Sequence, residues 1–174
     1  MPKAISPTSL WPEASGLRPA GAAGAFGTSR APSPRVLMQP TTPLPRVLVA
    51  DDQADILQAL RFLLVDAGVE VELVNSVDGI RERTAASTYD LLLMDLNYTR
   101  DTTSGREGLE LISEVRARDR HLPIVVMTGW GSIDTAVDAM RRGARSFVQK
   151  PWDDTTLVEV VRREISEGAA VRRA

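Results

Sequence analysis

The sequence predicts a doubly wound α/β fold over residues 46–168, with a five-stranded parallel sheet and five helices. Three observations predict it. Short apolar runs and helical segments alternate strictly along this stretch, the pattern of a parallel sheet covered by helices. The runs at 47–50, 91–94 and 122–127 are apolar almost throughout, as in strands buried on both faces. About 120 residues are enough to close one hydrophobic core.

The elements follow in order. Val47–Ala50 is an apolar run that stops at Asp51 and Asp52, and it reads as the first strand. Ile56, Leu60, Leu63, Leu64 and Ala67 recur at helical spacing, and Gly68 closes that helix. Residues 69–74 alternate apolar and acidic, giving a strand with one wetter face. Ser76–Ser87 reads as the second helix. Leu91–Met94 is a strand that ends on Asp95, and Glu107–Arg118 is a helix with Leu109, Ile112 and Val115 inward. Leu122–Met127 is a strand that ends on Thr128. Ser132 is expected to cap a helix that runs to Arg142 and stops at Gly143. Ser146–Gln149 is a short strand that ends on Lys150 and Pro151. The last helix is expected from Asp153 to about Gly168, with Leu157, Val160, Val161 and Ile165 as its core face. Five such strand–helix units make the expected arrangement flavodoxin-like, (βα)5.

The first 45 residues differ in kind. They hold nine of the eleven prolines and a net charge of +3, against −5 for the remainder. Such a Pro/Ala-rich basic stretch buries too little apolar surface to offset its ordering entropy, so residues 1–45 are expected to be a disordered tail. Lys3 is followed by no continuous apolar stretch, so a signal peptide is not expected. Trp11 and Phe26 in that tail could form a docking motif, and Met38 offers an alternative start. Residues 169–174 are expected as a flexible C-terminal tail.

Composition narrows the chemistry. With no cysteine there is no disulfide, thiolate metal site or Cys nucleophile. A single histidine, His121, argues against multi-histidine zinc sites and His-relay catalysis. The overall charge of −2 gives no reason to expect direct nucleic-acid binding, and no apolar run approaches the ~20 residues of a membrane helix. The arginines at 116, 118, 120, 141, 142 and 145 read as solvated faces, and His121 as a solvated loop residue.

What remains is at the strand ends. In an open parallel sheet, ligands bind beyond the carboxyl ends of the strands. Asp51, Asp52, Asp95, Thr128 and Lys150 should therefore converge on one edge. Acids at strand ends also cap the following helices. Three carboxylates together, however, repel one another, and a hard divalent cation such as Mg²⁺ relieves that repulsion. The chain has 19 arginines and only two lysines, so a lysine at the fifth strand end is chemically notable.

The motifs Val49-Ala50-Asp51-Asp52, Leu93-Met94-Asp95-Leu96-Asn97, Val126-Met127-Thr128-Gly129 and Gln149-Lys150-Pro151-Trp152 make residues 46–168 resemble a response-regulator receiver domain of a two-component system. The resemblance implies that Asp95 is the phosphoacceptor. It implies a Mg²⁺ held by Asp52, by Asp51 mostly through water, by Asp95 and by the backbone carbonyl of Asn97. Thr128 would contact the phosphoryl group, Lys150 would pair with it, and Phe147 would be the aromatic switch. The implied partners are a histidine kinase or phosphotransfer protein and a downstream protein target, with a phosphorylation-dependent homodimer as a further option. The implied place is the cytoplasm. The activity would be self-catalysed phosphotransfer and autodephosphorylation, not metabolic catalysis.

The loop Asn97–Gly108 is longer than usual for such domains. With Gly129–Val137, it is similar to the receivers of enhancer-binding AAA+ transcription activators. A transcription-regulator receiver without its output domain is therefore an alternative. Another is a metal-dependent phosphohydrolase with an aspartyl-phosphate intermediate. It would need an acid two residues after the nucleophile, where this chain has Asn97. A phosphorylation-independent binding module would not need the acidic cluster.

Overall fold

Alternation along each strand sorts the core into two layers. The computed structural model describes residues 42–98, 106–130 and 132–174. Within them, strands β1 (Arg46–Ala50), β2 (Glu70–Val74), β3 (Leu91–Asp95), β4 (Ile124–Thr128) and β5 (Ser146–Gln149) form one parallel sheet in the order β2-β1-β3-β4-β5. Helices α1 (Ala54–Asp66), α2 (Val77–Ala86), α3 (Arg106–Arg118), α4 (Ile133–Arg142) and α5 (Asp154–Arg173) connect and follow them. Leu48, Leu92, Met94, Ile124 and Val126 face a layer that contains Ile80 of α2, Leu111 and Ile112 of α3 and Ala139 of α4. Their neighbours Val47, Val49, Leu91, Leu93, Val125 and Met127 face Leu60 and Leu64 of α1 and Leu157 and Val161 of α5. The predicted doubly wound α/β fold is the fold observed.

Element ends follow local chemistry. Gly68 stands just past α1 at φ 87°, and Gly143 caps α4 at φ 116°, both in the left-handed region that glycine enters without steric cost. Ser76 caps α2 by accepting from the Gly79 N–H, and Asp153 caps α5 by accepting from the Thr156 N–H. Ser132 precedes α4 but makes no side-chain cap hydrogen bond, so the expected cap there is corrected: its backbone, at φ −99° and ψ 34°, is not in the extended conformation of the Ser76 cap. The strand expected from Leu122 begins two residues later, at Ile124. β2 is an edge strand and stays partly exposed, in keeping with its alternating sequence.

The last helix is also corrected. It continues past Gly168 to Arg173, so residues 169–173 are helical instead of a flexible tail. Gly168 is a contact point, not a stop. A Cβ there would lie 2.6 Å from Pro123 Cγ, so the helix passes Pro123 only because this residue has no side chain. Beyond it, Arg172 donates to the Tyr89 carbonyl at 2.8 Å and pairs with Asp90 and Asp119, anchoring the final turn. Two of the arginines read as solvated are also engaged. Arg116 donates to the carbonyls of Arg120 and Gly143, and Arg145 pairs with Glu164 at 3.0 Å and Glu167 at 2.8 Å. The expected tail over residues 1–41, most of the 97–108 loop and Gly131 lie outside the described residues.

Candidate phosphoacceptor site

Strand register brings the acidic residues together. Ala50 pairs with Met94, so Asp51, the next residue, stands beside Asp95. Asp95 pairs with Met127 on its other side, and Thr128 with Gln149, which brings Thr128 and Lys150 to the same edge. Backbone bonds from Leu96 N–H to the Met127 carbonyl and from Lys150 N–H to the Thr128 carbonyl (2.7 Å) extend the pairing past the strands into this edge. Each expected side chain thus reaches the edge because a parallel sheet aligns the ends of its strands.

Ligand oxygens of Asp51, Asp52 and Asp95 lie within 4.8 Å of one another. Asp51, Asp95 and Thr128 are buried. The Lys150 ammonium donates to Asp51 Oδ2 at 2.6 Å and to Asp95 Oδ2 at 3.1 Å. The remaining oxygens of these two acids accept from backbone: Asp51 Oδ1 from the Gln53 N–H at 2.9 Å, and Asp95 Oδ1 from the Asn97 N–H at 3.1 Å. Burial pushes the Asp95 carboxyl above its usual range, and the Asp51 charge adds to that, against the Asn97 N–H and Lys150. Burial alone would pull Lys150 down, but its hydrogen bond to Asp51 and the charge of Asp95 overcome this and raise it.

The donor set fits a hard divalent cation. Three carboxylates and one ammonium leave two negative charges if all are ionised, and all the carboxylate donors are oxygens. Two oxygens across an octahedral Mg²⁺ are about 4.2 Å apart, so ligand atoms within 4.8 Å of one another are near enough to share one ion. The side-chain amide of Asn97 faces Gly129, 3.8 Å from where a Cβ on that glycine would sit.

Phe147 is 52% exposed on β5. It borders an open apolar groove of about 360 Å³ with Ile133, Ala136, Val137, Met140 and Arg141 of α4. Trp152, expected to pack at the start of the last helix, does so: it lies against the α1/α5 layer, and its indole N–H donates to Asp154 at 3.2 Å. His121 is exposed, as expected of a loop residue. The residue that sequence reading passed over is Tyr98, buried three residues after Asp95. A lone tyrosine inside a loop carries no periodic signal by which it could have been found.

Comparison with known proteins agrees with this geometry. Residues 47–162 match the response regulator receiver domain family. The chain is 32% identical over 123 residues to the transcriptional regulatory protein FixJ of Azorhizobium caulinodans, covering 71% of this chain and 56% of FixJ. It is 32% identical to the response regulator protein FleR of Pseudomonas aeruginosa, covering 68% of this chain and 24% of FleR. It thus spans about half the length of the first and a quarter of the second. NtrX from Brucella abortus superimposes with a TM-score of 0.68 at 29% identity, covering 75% of this chain and 28% of NtrX. A response regulator receiver domain protein from Clostridium thermocellum gives 0.66 at 28% identity, covering 74% of this chain and 99% of that one. Among the described residues no helix is long and apolar enough to cross a membrane. A five-stranded parallel sheet, an acidic cluster at its carboxyl edge and a family match across two thirds of the sequence lead to one assignment: the chain belongs to the response-regulator receiver domain family.

Proposed function

We propose that this receiver domain accepts a phosphoryl group on Asp95 from the phosphohistidine of a histidine kinase or phosphotransfer protein in the cytoplasm. The observation that carries the reading is the cluster of three carboxylates with Lys150 bonded to two of them. An Asp95 carboxylate oxygen attacks phosphorus as the phosphorus–nitrogen bond to the donor histidine breaks. The carboxylate needs positioning and charge neutralisation more than covalent help. Asp51, Asp52, Asp95 and the Asn97 carbonyl would hold Mg²⁺, which when bound neutralises charge on the phosphoryl oxygens.

Lys150 pairs with the unphosphorylated Asp95, then moves its contact to a phosphoryl oxygen. A compact ammonium serves both contacts where a planar guanidinium would not. The Thr128 hydroxyl, buried at the same edge, turns toward the phosphoryl group and frees the space into which Phe147 swings. Inward rotation of Phe147 remodels the apolar groove along α4, and that face meets the downstream protein target or a second copy in a phosphorylation-dependent homodimer. The chain is then a switch with self-catalysed phosphotransfer and autodephosphorylation. Its similarity to proteins named as transcriptional regulators favours transcription control as the output. The test is incubation with a small acyl phosphate and Mg²⁺, followed by intact mass. Wild type gains one phosphoryl group and Asp95→Asn gains none; equal gain in both would overturn the assignment.

A further inference from the structure

Gly108 lies buried in the first turn of α3. Its backbone does not call for glycine, since it lies outside the left-handed region that Gly68 and Gly143 occupy. Inside a helix, glycine is less stable than alanine. The reason for it here is spatial. A Cβ on Gly108 would lie 3.3 Å from the Leu96 carbonyl oxygen, 3.6 Å from Leu96 Cα and 3.7 Å from Leu96 Cδ2. All three atoms belong to the residue that follows Asp95. Leu96 is fully buried and tied on its other side, where its N–H donates to the Met127 carbonyl at 3.1 Å. The next N–H, from Asn97, donates to Asp95 Oδ1 at 3.1 Å. Helix α3 is held in turn, because Arg81 of α2 donates to both Glu114 oxygens, at 2.9 and 3.1 Å. Gly108 therefore meets Leu96 between two anchored elements.

We propose that Gly108 is a positioning residue for phosphoryl transfer: having no side chain, it seats the start of α3 on the Leu96 carbonyl and so fixes the Asp95–Asn97 segment. This rests on the reading of Asp95 as phosphoacceptor given above. A methyl group at residue 108 must push Leu96 aside by a few tenths of an ångström. One peptide unit carries that shift back to Asp95, and one carries it forward to Asn97, whose N–H orients Asp95 Oδ1. Phosphoryl transfer depends on in-line placement more than on covalent help, and a misplacement of about 1 Å can cost about a hundredfold in rate. The glycine thus gives up helix stability in exchange for the placement of the nucleophile.

The test compares wild type, Gly108→Ala and Ile112→Val for the rate of phosphorylation by a small acyl phosphate at saturating Mg²⁺, with urea unfolding and amide chemical shifts of each. Gly108→Ala should stay folded, shift the amides of Asp95, Leu96 and Asn97, and react about tenfold more slowly. Ile112 is fully buried on the same helix, so Ile112→Val should lose stability yet keep its rate to within about twofold. A wild-type rate in Gly108→Ala overturns the proposal while the phosphoacceptor reading stands. An equal fall in Ile112→Val assigns the effect to helix packing and also overturns it. Should Gly108→Ala fail to fold, Arg81→Met decides, because it keeps the glycine but frees α3 to move off Leu96. A rate about threefold lower there supports the proposal, and a wild-type rate overturns it. Wild type that gains no phosphoryl group removes the phosphoacceptor reading and this proposal together.

Discussion

Toward the amino-terminal end of the sheet, Glu72 accepts from the Tyr89 hydroxyl at 2.7 Å and pairs with Arg83 at 2.6 Å and Arg46 at 3.3 Å. The Arg46 guanidinium also stacks 5.0 Å from the centre of the Tyr89 ring. Around the same end, Arg145 is shared between Glu164 and Glu167, and Arg172 between Asp90 and Asp119. At the carboxyl-terminal end, Asp51 and Asp95 share the single ammonium of Lys150, with Asp52 as a third acid beside them. One end matches acids with bases and ties helices to strands. At the other, two buried carboxylates share one ammonium, an arrangement that a bound cation would stabilise. Groups of the same type tie elements together at one end and gather into a cluster that could hold a cation at the other.

The largest break in this contrast should come from Lys150→Met. It leaves Asp51 and Asp95 buried without their counter-charge, and should cost about 3–5 kcal/mol in the absence of metal. Mg²⁺ should then stabilise the variant more than it stabilises wild type, because the cation takes over part of the neutralisation. Denaturant unfolding with and without Mg²⁺ measures both effects, and an identical Mg²⁺ increment in the two proteins would contradict the charge account. At the opposite end, Glu72→Ala should cost less, about 1–2 kcal/mol, by leaving the Tyr89 hydroxyl without an acceptor. It should leave the Mg²⁺ Kd at the wild-type value, and a shifted Kd would show that the two ends are coupled.

The smallest effect concerns alkaline pH. Burial, then the hydrogen bond to Glu72, raises the Tyr89 phenol from 10.0 to about 12. The native state therefore holds this proton more tightly than the unfolded chain does. The stabilisation is complete below pH 10.0 and is lost as pH rises toward about 12. Tyr89→Phe should flatten that part of the stability curve in urea unfolding across this window. An unchanged alkaline slope would place the loss elsewhere.

Much of the fold and most of the site were legible from the residues. A parallel sheet puts the carboxyl ends of its strands side by side, so noting what followed each apolar run was enough to gather Asp51, Asp52, Asp95, Thr128 and Lys150. What was not legible depends on contacts between elements far apart in sequence. Gly168 reads as a helix stop because glycine commonly ends helices, yet here it is the point where α5 passes Pro123. Arg116 and Arg145 read as solvent-facing by composition, and only the packed chain brings them to the Gly143 carbonyl and to Glu164. Ser132 has the right residue type for a cap but the wrong backbone angles. The burial of Tyr98 in the layer that holds Leu109 of α3 is a tertiary result that no local pattern encodes.

The scarcity of lysine has a practical chemical consequence. Apart from the α-amino group, the chain carries two primary amines, Lys3 and Lys150. An amine-directed reagent therefore meets one lysine on the folded domain, and that one is held between two carboxylates. Clamped in this way, the ammonium is a poor nucleophile, so acylation of Lys150 depends on its release. The domain thus contains its own single-site reporter, with no engineered tag required.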